Sequence, residues 1–258
     1  MTDILSKAVP VKSSTKAITA LFYGKSGTGK TTLAASFPKP ALLIDIREQG
    51  TDSVVDVPDL DVLRLDSWKD FEAIYWSLEK VKGHKYKTVI LDGMSQLQEM
   101  ALEAAREEEN KPDGFLSQRI WGIASSKLKT WIMNYRDLVN HGINVVFLGQ
   151  YKLSGGGDDS ADDEIEPSVG PALMPSVAST LTAAVNIVAN TFIKAVTKIS
   201  SKGVPTTTFR YSLRVGPHSQ YLTKFRQPKG SYLPSTVNNA TYEVLKELMA
   251  GKYSPKTK

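Results

Sequence analysis

Eight residues near the start of the chain, GKSGTGKT at positions 24–31, have the types and spacing that bind nucleotide phosphates. They fit the pattern GxxxxGK followed by Ser or Thr at every position, between an apolar run and a segment with helical spacing. The glycines let backbone N–H groups wrap around a phosphate, Lys30 can reach the β- and γ-phosphate oxygens, and the Thr31 hydroxyl is a Mg²⁺ ligand. An ordinary glycine turn before a helix would not require Lys30 and Thr31 together. The predicted nucleotide-binding residues are Gly24, Lys25, Ser26, Gly27, Thr28, Gly29, Lys30, Thr31 and Thr32.

A second apolar run, TVILDG at positions 88–93, ends in an aspartate. A phosphate-loop site needs such a carboxylate at the end of the neighbouring strand, where it supports the Mg²⁺ shell. Asp92 therefore joins Thr31 as a predicted metal-site residue, and ATP and Mg²⁺ are the predicted ligands. The alternative is a solvated aspartate at the end of an ordinary buried strand.

The segments that must position these groups alternate between strands and helices. Four apolar runs lack the polar alternation of a half-exposed strand, and helical segments separate them. These runs are AITALFYG (17–24), ALLIDI (41–46), KTVILDG (87–93) and INVVFLGQ (143–150). The pattern is typical of an α/β fold with a mainly parallel sheet covered by helices on both faces. Beyond residue 185, further β-type runs predict a C-terminal antiparallel extension before a last helix.

We expect a single domain at residues 17–250, preceded by a polar arm or tail at 1–16 and followed by a basic tail at 251–258. Within the domain, residues 151–170 contain a glycine run and a block of acids, which predict a mobile loop. Because parallel strands end at one edge of a sheet, Gln150 is expected on the same side as Asp92 and the phosphate loop. From there its side chain can contact a γ-phosphate.

The composition narrows the class of protein. Because the chain has no cysteine, it can form neither a disulfide framework nor a thiolate metal site. Its three histidines leave little for a zinc site. No apolar window approaches the roughly 20 residues of a membrane span, so we expect a soluble, cytoplasmic protein without a membrane partner.

Residues 191–258 carry 12 basic and 2 acidic side chains, which favours a polyanionic partner such as nucleic acid. A solvated cationic surface is the alternative.

Taken together, the motifs resemble the RecA/RadA core. In that core, the strand after the Mg²⁺-site aspartate and its helices ends in a glutamine that senses γ-phosphate and leads into a mobile DNA-contacting loop. FLGQYKLSGGGDD looks like that element. The resemblance narrows to the RecA-core ATPases of bacteriophages, including the Sak-four single-strand annealing proteins, and covers roughly residues 17–228. The stretches that carry it are FYGKSGTGKTTLAASFPKPALLID, YKTVILDGMSQL, HGINVVFLGQYK, PSVGPALMPSVASTL and RYSLRVGPHSQYLTKFR.

The resemblance implies a RecA-like P-loop fold and a Mg²⁺-dependent ATPase that assembles into a ring or filament. It also implies binding of single-stranded DNA and annealing during phage recombination, in the cytoplasm of a bacterial host, with a single-strand-binding or replication protein as a further partner. Two other classes remain open. One is a helicase loader or replication-linked motor that acts through a protein partner; the other is a nucleotide-gated interaction protein without DNA binding.

The same resemblance implies a glutamate that orients the attacking water, usually two residues after an aspartate at the end of the second strand. After Asp45 that position holds Arg47, and Glu48 follows one residue later. In a regular strand Glu48 would point to the opposite face, whereas a bulge or an early strand end would bring it to the site. Glu48 is the predicted general base, and Asp45 is the alternative base. The alternative without a catalytic role is a surface turn capped by Arg47.

Lys224 and Arg226, two positions apart in YLTKFR, face the same way on a strand. In RecA-like assemblies, cations from one subunit complete the phosphate site of its neighbour. On this interpretation Lys224 and Arg226 join Lys30, Glu48 and Gln150 in the predicted catalytic set. A basic edge strand with a solvated face is the alternative.

The six acids between positions 158 and 166 conflict with a simple DNA-binding loop, because they repel phosphates. The block is either an excursion whose ends near Lys152 and Ser168 contact DNA, or an autoinhibitory strip that nucleic acid displaces. Three tyrosines are either base-stacking side chains or core residues. They are Tyr151, Tyr211 and Tyr221.

Overall fold

Six of the described strands run parallel through the centre of the sheet, as the uninterrupted apolar runs predict. Across the sheet they are β3 (Leu60–Arg64), β2 (Ala41–Asp45), β4 (Thr88–Asp92), β5 (Asn144–Gly149), β1 (Thr19–Gly24) and β8 (Ile187–Ile199). Every residue of β1, β2, β4 and β5 is buried, because helices cover both faces of the sheet. The predicted α/β class with a mainly parallel sheet is confirmed.

The computed structural model describes most of the chain. The described residues are 17–80, 84–110, 114–154, 168–199 and 205–254. The predicted arm at 1–16, the acidic part of the predicted loop and the last four residues of the basic tail lie outside them. The domain limits predicted from the sequence therefore stay predictions.

Among the described residues, six α-helices form two layers on the sheet. They are α1 (Lys30–Ala34), α2 (Trp68–Lys80), α3 (Met94–Glu108), α4 (Gln118–Asp137), α5 (Pro175–Ala184) and α6 (Tyr242–Met249). Apolar residues of α2, α3, α4 and α5 form one core with one face of the sheet, and those of α1 and α6 form a second core on the other face. Alternate residues of β1 divide between the two, with Leu21 in the first core and Phe22 in the second. Within the described residues, every helix is too short or too polar to cross a membrane.

The C-terminal region differs from the prediction in one strand. The run at 185–196 was expected to be antiparallel, but β8 pairs parallel with β1, from Ala20 opposite Ile187 to Gly24 opposite Thr191. Its start is buried on both faces like the other central strands, which favours the parallel position. The antiparallel region begins instead at β9 (Pro205–Arg214), which pairs with β8, and continues with the short strands β10 (Lys224–Phe225) and β11 (Thr236–Asn238).

Two elements follow Gln150 that the sequence did not predict. The described ends of the predicted loop pair as an antiparallel ribbon of β6 (Tyr151–Ser154) and β7 (Ser168–Pro171). Helix α5 then begins with Pro175, a residue that is favourable at the first helical position because it has no N–H to satisfy. That proline was the available signal for the helix.

A polar contact joins the starts of three central strands. The buried Asn144 side chain accepts from the Ile18 N–H at 2.8 Å and donates to the Lys87 carbonyl at 3.0 Å. It therefore links the chain before β1 to the chain before β4 across the start of β5.

We predict that Asn144→Ala lowers the free energy of unfolding by about 2 kcal/mol, because the buried Ile18 N–H loses its acceptor. Urea denaturation followed by circular dichroism measures the change. Asn140→Ala, at an exposed position in the turn before β5, is the matched control and is expected to change stability by less than about 0.5 kcal/mol. Equal effects of the two changes would contradict the assigned contact.

Candidate nucleotide site

The chain between β1 and α1 wraps around the Lys30 side chain. Gly27 and Gly29 adopt left-handed φ values of 75° and 83°, which glycine tolerates without strain. Gly24 packs so closely on Thr191 of β8 that a side chain there would collide with the Thr191 backbone. The Lys30 ammonium donates to the carbonyls of Gly24 at 3.2 Å and Lys25 at 3.0 Å. Burial lowers the pKa of Lys30, and the nearby carboxylates oppose that shift.

A cavity of about 780 Å³ opens on this loop. The seven residues from Ser26 to Thr32 line it, together with Glu48, Asp92 and Gln150. Gly24 and Lys25, the first two residues of the loop, do not line the cavity, but their carbonyls accept from the Lys30 ammonium. The structure thus brings together every residue predicted for the nucleotide and metal sites, and three of the five predicted catalytic residues.

The Thr31 hydroxyl donates to a carboxylate oxygen of Asp92 at 2.8 Å. Asp92 is 7% exposed, and burial raises its pKa to about 6, an effect that the hydrogen bond from Thr31 partly offsets. One expectation was wrong: β4 is not the neighbour of β1, because β5 lies between them. Asp92 nevertheless reaches Thr31, because all three strands end at the same edge of the sheet and the first turn of α1 lies above that edge.

These two side chains fit a magnesium ion. Mg²⁺ prefers hard oxygen ligands and is usually held by one or two carboxylates together with phosphates of the nucleotide. Within the part of the chain that is described, no group of three or more His, Cys, Asp or Glu side chains is arranged to hold a metal alone. The donor set of Thr31 and Asp92 suits an ion that arrives with a nucleotide.

Glu48 reaches the cavity because β2 ends early, at Asp45. The chain then turns through left-handed conformations at Arg47 and Gln49, with φ values of 59° and 52°, so strand alternation no longer applies to Glu48. Its side chain lies against Gly93, where an added β-carbon would be 2.6 Å from the Glu48 Cγ. A larger residue at position 93 would therefore have to displace the Glu48 side chain.

Asp45 and Arg47 hold this turn from either side. One Asp45 carboxylate oxygen accepts the N–H groups of Glu48 and Gln49, both at 3.1 Å. Arg47 points away from the cavity and donates through both terminal nitrogens to Glu103, each at 2.8 Å. Glu48 is the acid that this turn presents to the cavity, and Asp45 is occupied with the backbone.

Gln150 follows directly after β5 and lines the cavity between the phosphate loop and Asp92. Its backbone carbonyl accepts from the Ala172 N–H at 2.8 Å. The residue that was predicted to sense phosphate is therefore attached to the chain that leaves the β6–β7 ribbon.

The far side of the cavity is formed by residues that sequence reasoning did not assign to it. Tyr211 of β9 lies over Gly29, with its Cδ1 atom 3.2 Å from where a β-carbon would be. Asn239, Ala240 and Thr241, between β11 and α6, complete this side. Tyr211 was expected either in a DNA-stacking role or in the core. Its position depends on the pairing of β9 beside the loop, which no local sequence pattern indicates.

The other two tyrosines lie elsewhere, beside cations. The Lys25 ammonium is 5.7 Å from the centroid of the Tyr151 ring, and the Arg214 guanidinium is 3.8 Å from that of Tyr221. Both rings lie outside the cavity lining.

Lys224 and Arg226 lie together but away from the cavity. Lys224 donates to the carbonyls of Thr182 at 2.9 Å and Ala183 at 2.7 Å, and Arg226 donates to the Ala183 carbonyl at 3.3 Å. Burial and the neighbouring Arg226 lower the pKa of Lys224. Within one chain, the pair stabilises the C-terminal end of α5, where unpaired carbonyls attract cations.

A phosphate loop after the first strand, an aspartate at the end of β4 and a strand inserted between them are the features of an α/β P-loop fold. The chain belongs to the AAA_24 family, described as an AAA domain, which matches residues 16–227.

Several solved structures are similar in fold. The RadB recombinase is 13% identical, with 75% of this chain and 86% of that chain covered and a TM-score of 0.42. The ATPase domain of G40P is 11% identical, with coverages of 76% and 81% and a TM-score of 0.37. The flagellar accessory protein FlaH from Methanocaldococcus jannaschii is 8% identical, with coverages of 81% and 80% and a TM-score of 0.38. No curated protein matches the chain.

We predict that Asp45→Ala lowers the free energy of unfolding by about 2 kcal/mol, because the N–H groups of Glu48 and Gln49 lose their shared acceptor. Asp45→Asn is the control. It retains an oxygen at the same place and is expected to recover at least about half of that loss. Urea denaturation of both variants provides the measurement, and indistinguishable stabilities would show that the two N–H groups do not depend on this oxygen.

Proposed function

We propose that this protein is a Mg²⁺-dependent ATPase that binds single-stranded DNA and promotes annealing of single strands in phage recombination. The observation that carries the ATPase proposal is the hydrogen bond between Thr31 and Asp92, which lies in the same cavity as Glu48 and Gln150. A cavity that combines a phosphate loop, a hydroxyl–carboxylate pair and a separate acid has the parts that phosphoryl transfer to water requires.

In this proposal the phosphates of ATP enter the loop at residues 24–31, and the Lys30 ammonium exchanges its two carbonyl partners for phosphate oxygens. Thr31 and Asp92 would hold Mg²⁺, which would neutralise negative charge on the nucleotide phosphates. The buried Asp92 carboxylate gains from such a cation, because little water solvates its charge.

Glu48 is the proposed general base. Its carboxylate orients a water molecule for attack on the γ-phosphate and accepts the proton that this water releases. Gln150 contacts the γ-phosphate from the end of β5 and moves with the chain that continues into β6. Loss of the γ-phosphate then changes the contacts of the residue that joins the site to the β6–β7 ribbon.

The side of the cavity opposite Asp92 is the proposed site for the nucleobase. Tyr211 is 51% exposed at the mouth of the cavity and presents an aromatic ring beside the phosphate loop. An aromatic ring in that position can stack on a base of any identity.

Binding of single-stranded DNA is supported by the basic composition of residues 191–258 and by the resemblance to the annealing proteins. Assembly into a ring or filament is supported by the same resemblance. We propose that Lys224 and Arg226 act across the subunit interface, where a neighbour's nucleotide attracts them away from the end of α5. A single-strand-binding or replication protein is the proposed further partner.

We predict that Glu48→Gln lowers kcat for ATP about 10²- to 10⁴-fold and changes KM little, because the base is lost while the phosphate contacts remain. Lys30→Ala, by contrast, is expected to abolish nucleotide binding. Asp45→Asn removes one negative charge from the same turn but leaves the proposed base in place, so it controls for the loss of charge alone. Its kcat is expected to stay within about tenfold of the unchanged protein.

The measurements are steady-state phosphate release and the binding of a fluorescent ATP analogue, with and without single-stranded DNA. The assignment of Glu48 fails if Glu48→Gln retains full turnover, and the phosphate site fails if Lys30→Ala binds the analogue normally.

We predict that Tyr211→Ala weakens ATP binding about tenfold, which corresponds to the loss of about 1.4 kcal/mol of stacking. Tyr211→Phe keeps the ring and is expected to bind ATP within about twofold of the unchanged protein. Titration of the fluorescent analogue tests both variants. A normal affinity for Tyr211→Ala would place the base elsewhere in the cavity.

A further inference from the structure

Strands β8 and β9 extend beyond the rest of the sheet. β1 accompanies β8 only as far as Thr191, and β11 accompanies β9 only from Ser212 to Arg214. Residues 193–199 and 205–211 therefore pair with each other and with no other described strand. We call this ribbon the β8–β9 arm. At roughly 3.3 Å per residue each seven-residue strand of the arm spans about 23 Å.

The two faces of the arm differ in chemistry. On one face, Phe209 is 69% exposed and follows the same alternation as Tyr211, which faces the nucleotide cavity. On the opposite face, Lys194 lies directly across from Arg210 in the strand register. Their β-carbons are therefore only about 5 Å apart, as in any directly opposed pair.

A pair of like charges directly opposite each other destabilises a ribbon unless an anion lies nearby. Among the described residues, no carboxylate approaches either Lys194 or Arg210 within 4.0 Å. The surrounding sequence supplies none: the 76 residues from Pro167 to Tyr242 contain no Asp or Glu and eight basic residues. These are Lys194, Lys198, Lys202, Arg210, Arg214, Lys224, Arg226 and Lys229.

At the base of the arm, the same face connects to the phosphate-loop strand. The Arg214 guanidinium lies 4.6 Å from the centroid of the Phe192 ring and donates to the Asn190 side chain at 2.9 Å. Asn190 in turn donates to the Tyr23 carbonyl at 3.2 Å, one residue before Gly24. Arg214 also covers the ring of Tyr221, which lines a groove of about 430 Å³ that contains Lys152.

We propose that the Lys194 and Arg210 face of the β8–β9 arm is a binding site for the phosphate backbone of single-stranded nucleic acid. The inference rests on the DNA-binding part of the proposed function and is independent of ATP hydrolysis. Nucleic acid is the occupant that the charges favour, because it presents a continuous row of anions to an acid-free ribbon.

The test compares Lys194→Ala/Arg210→Ala with the unchanged protein in binding a fluorescein-labelled oligothymidylate by anisotropy. Removing two phosphate contacts is expected to reduce the slope of log K against log salt by about 1.4, measured from about 50 to 300 mM KCl. The same loss corresponds to about 25-fold weaker binding near 100 mM salt. The swapped variant Lys194→Arg/Arg210→Lys keeps both charges and is expected to retain the slope and affinity.

Lys69→Ala/Lys87→Ala removes the same net charge from exposed positions outside the arm and is the matched control. It is expected to bind the oligonucleotide normally. Equal weakening by the control pair and the arm pair would show that only net charge matters, and unchanged binding by the arm pair would exclude the site. Either result overturns the proposal, as does an unchanged protein that fails to bind the oligonucleotide with or without ATP.

Two further readouts separate the possible failures. Size-exclusion chromatography shows whether the arm pair has lost self-association; if it has, while oligonucleotide binding is normal, the face is an interface between copies and the proposal is wrong. Binding of the fluorescent ATP analogue tests the proposed ATPase site separately. A protein that binds the oligonucleotide through the arm but does not bind the analogue would refute the ATPase proposal and leave the arm site standing.

Discussion

The arrangement of the site depends on the contact between Thr31 and Asp92. This hydrogen bond joins the first turn of α1 to the end of β4 across the intervening strand β5. It also provides the buried Asp92 carboxylate with a donor, which partly offsets the burial that raises its pKa. Because the contact fixes the loop relative to β4, the Glu48 side chain beside Gly93 and the Gln150 side chain after β5 have defined positions relative to Lys30.

The inserted strand has a second consequence. Because β5 lies between the strands that carry the phosphate loop and Asp92, the chain after Gln150 leaves the sheet beside the loop. Tyr23 of β1 holds that chain in place: its hydroxyl lies 3.0 Å from the Val169 carbonyl and 2.8 Å from the Leu222 carbonyl. The end of β1 that leads into the phosphate loop, the β6–β7 ribbon and the chain before β10 are thus joined by one buried side chain.

The sequence predicted those features that local pattern determines. The phosphate loop, Asp92 and the parallel strands all have short-range signals, and the structure contains each of them. The features that were missed depend on long-range pairing. Tyr211 reaches the cavity because β9 returns beside β8. Glu48 is a different case: an early strand end was one of two ways in which it could reach the site, and β2 does end at Asp45, but the strand pattern alone did not distinguish that end from a regular continuation.

Lys224 and Arg226 show how a pair that looks equivalent in sequence becomes unequal in the fold. Lys224 makes two short hydrogen bonds to carbonyls at the end of α5 and is partly buried, so moving it would leave both carbonyls without this donor. Arg226 makes a single, longer bond to one of the same carbonyls and is exposed. Its departure leaves the Ala183 carbonyl still paired with Lys224, and a guanidinium remains charged at any physiological pH. If one cation of the pair contacts a neighbouring subunit's nucleotide while α5 stays intact, the hydrogen bonds favour Arg226 for that role and Lys224 for holding the helix end.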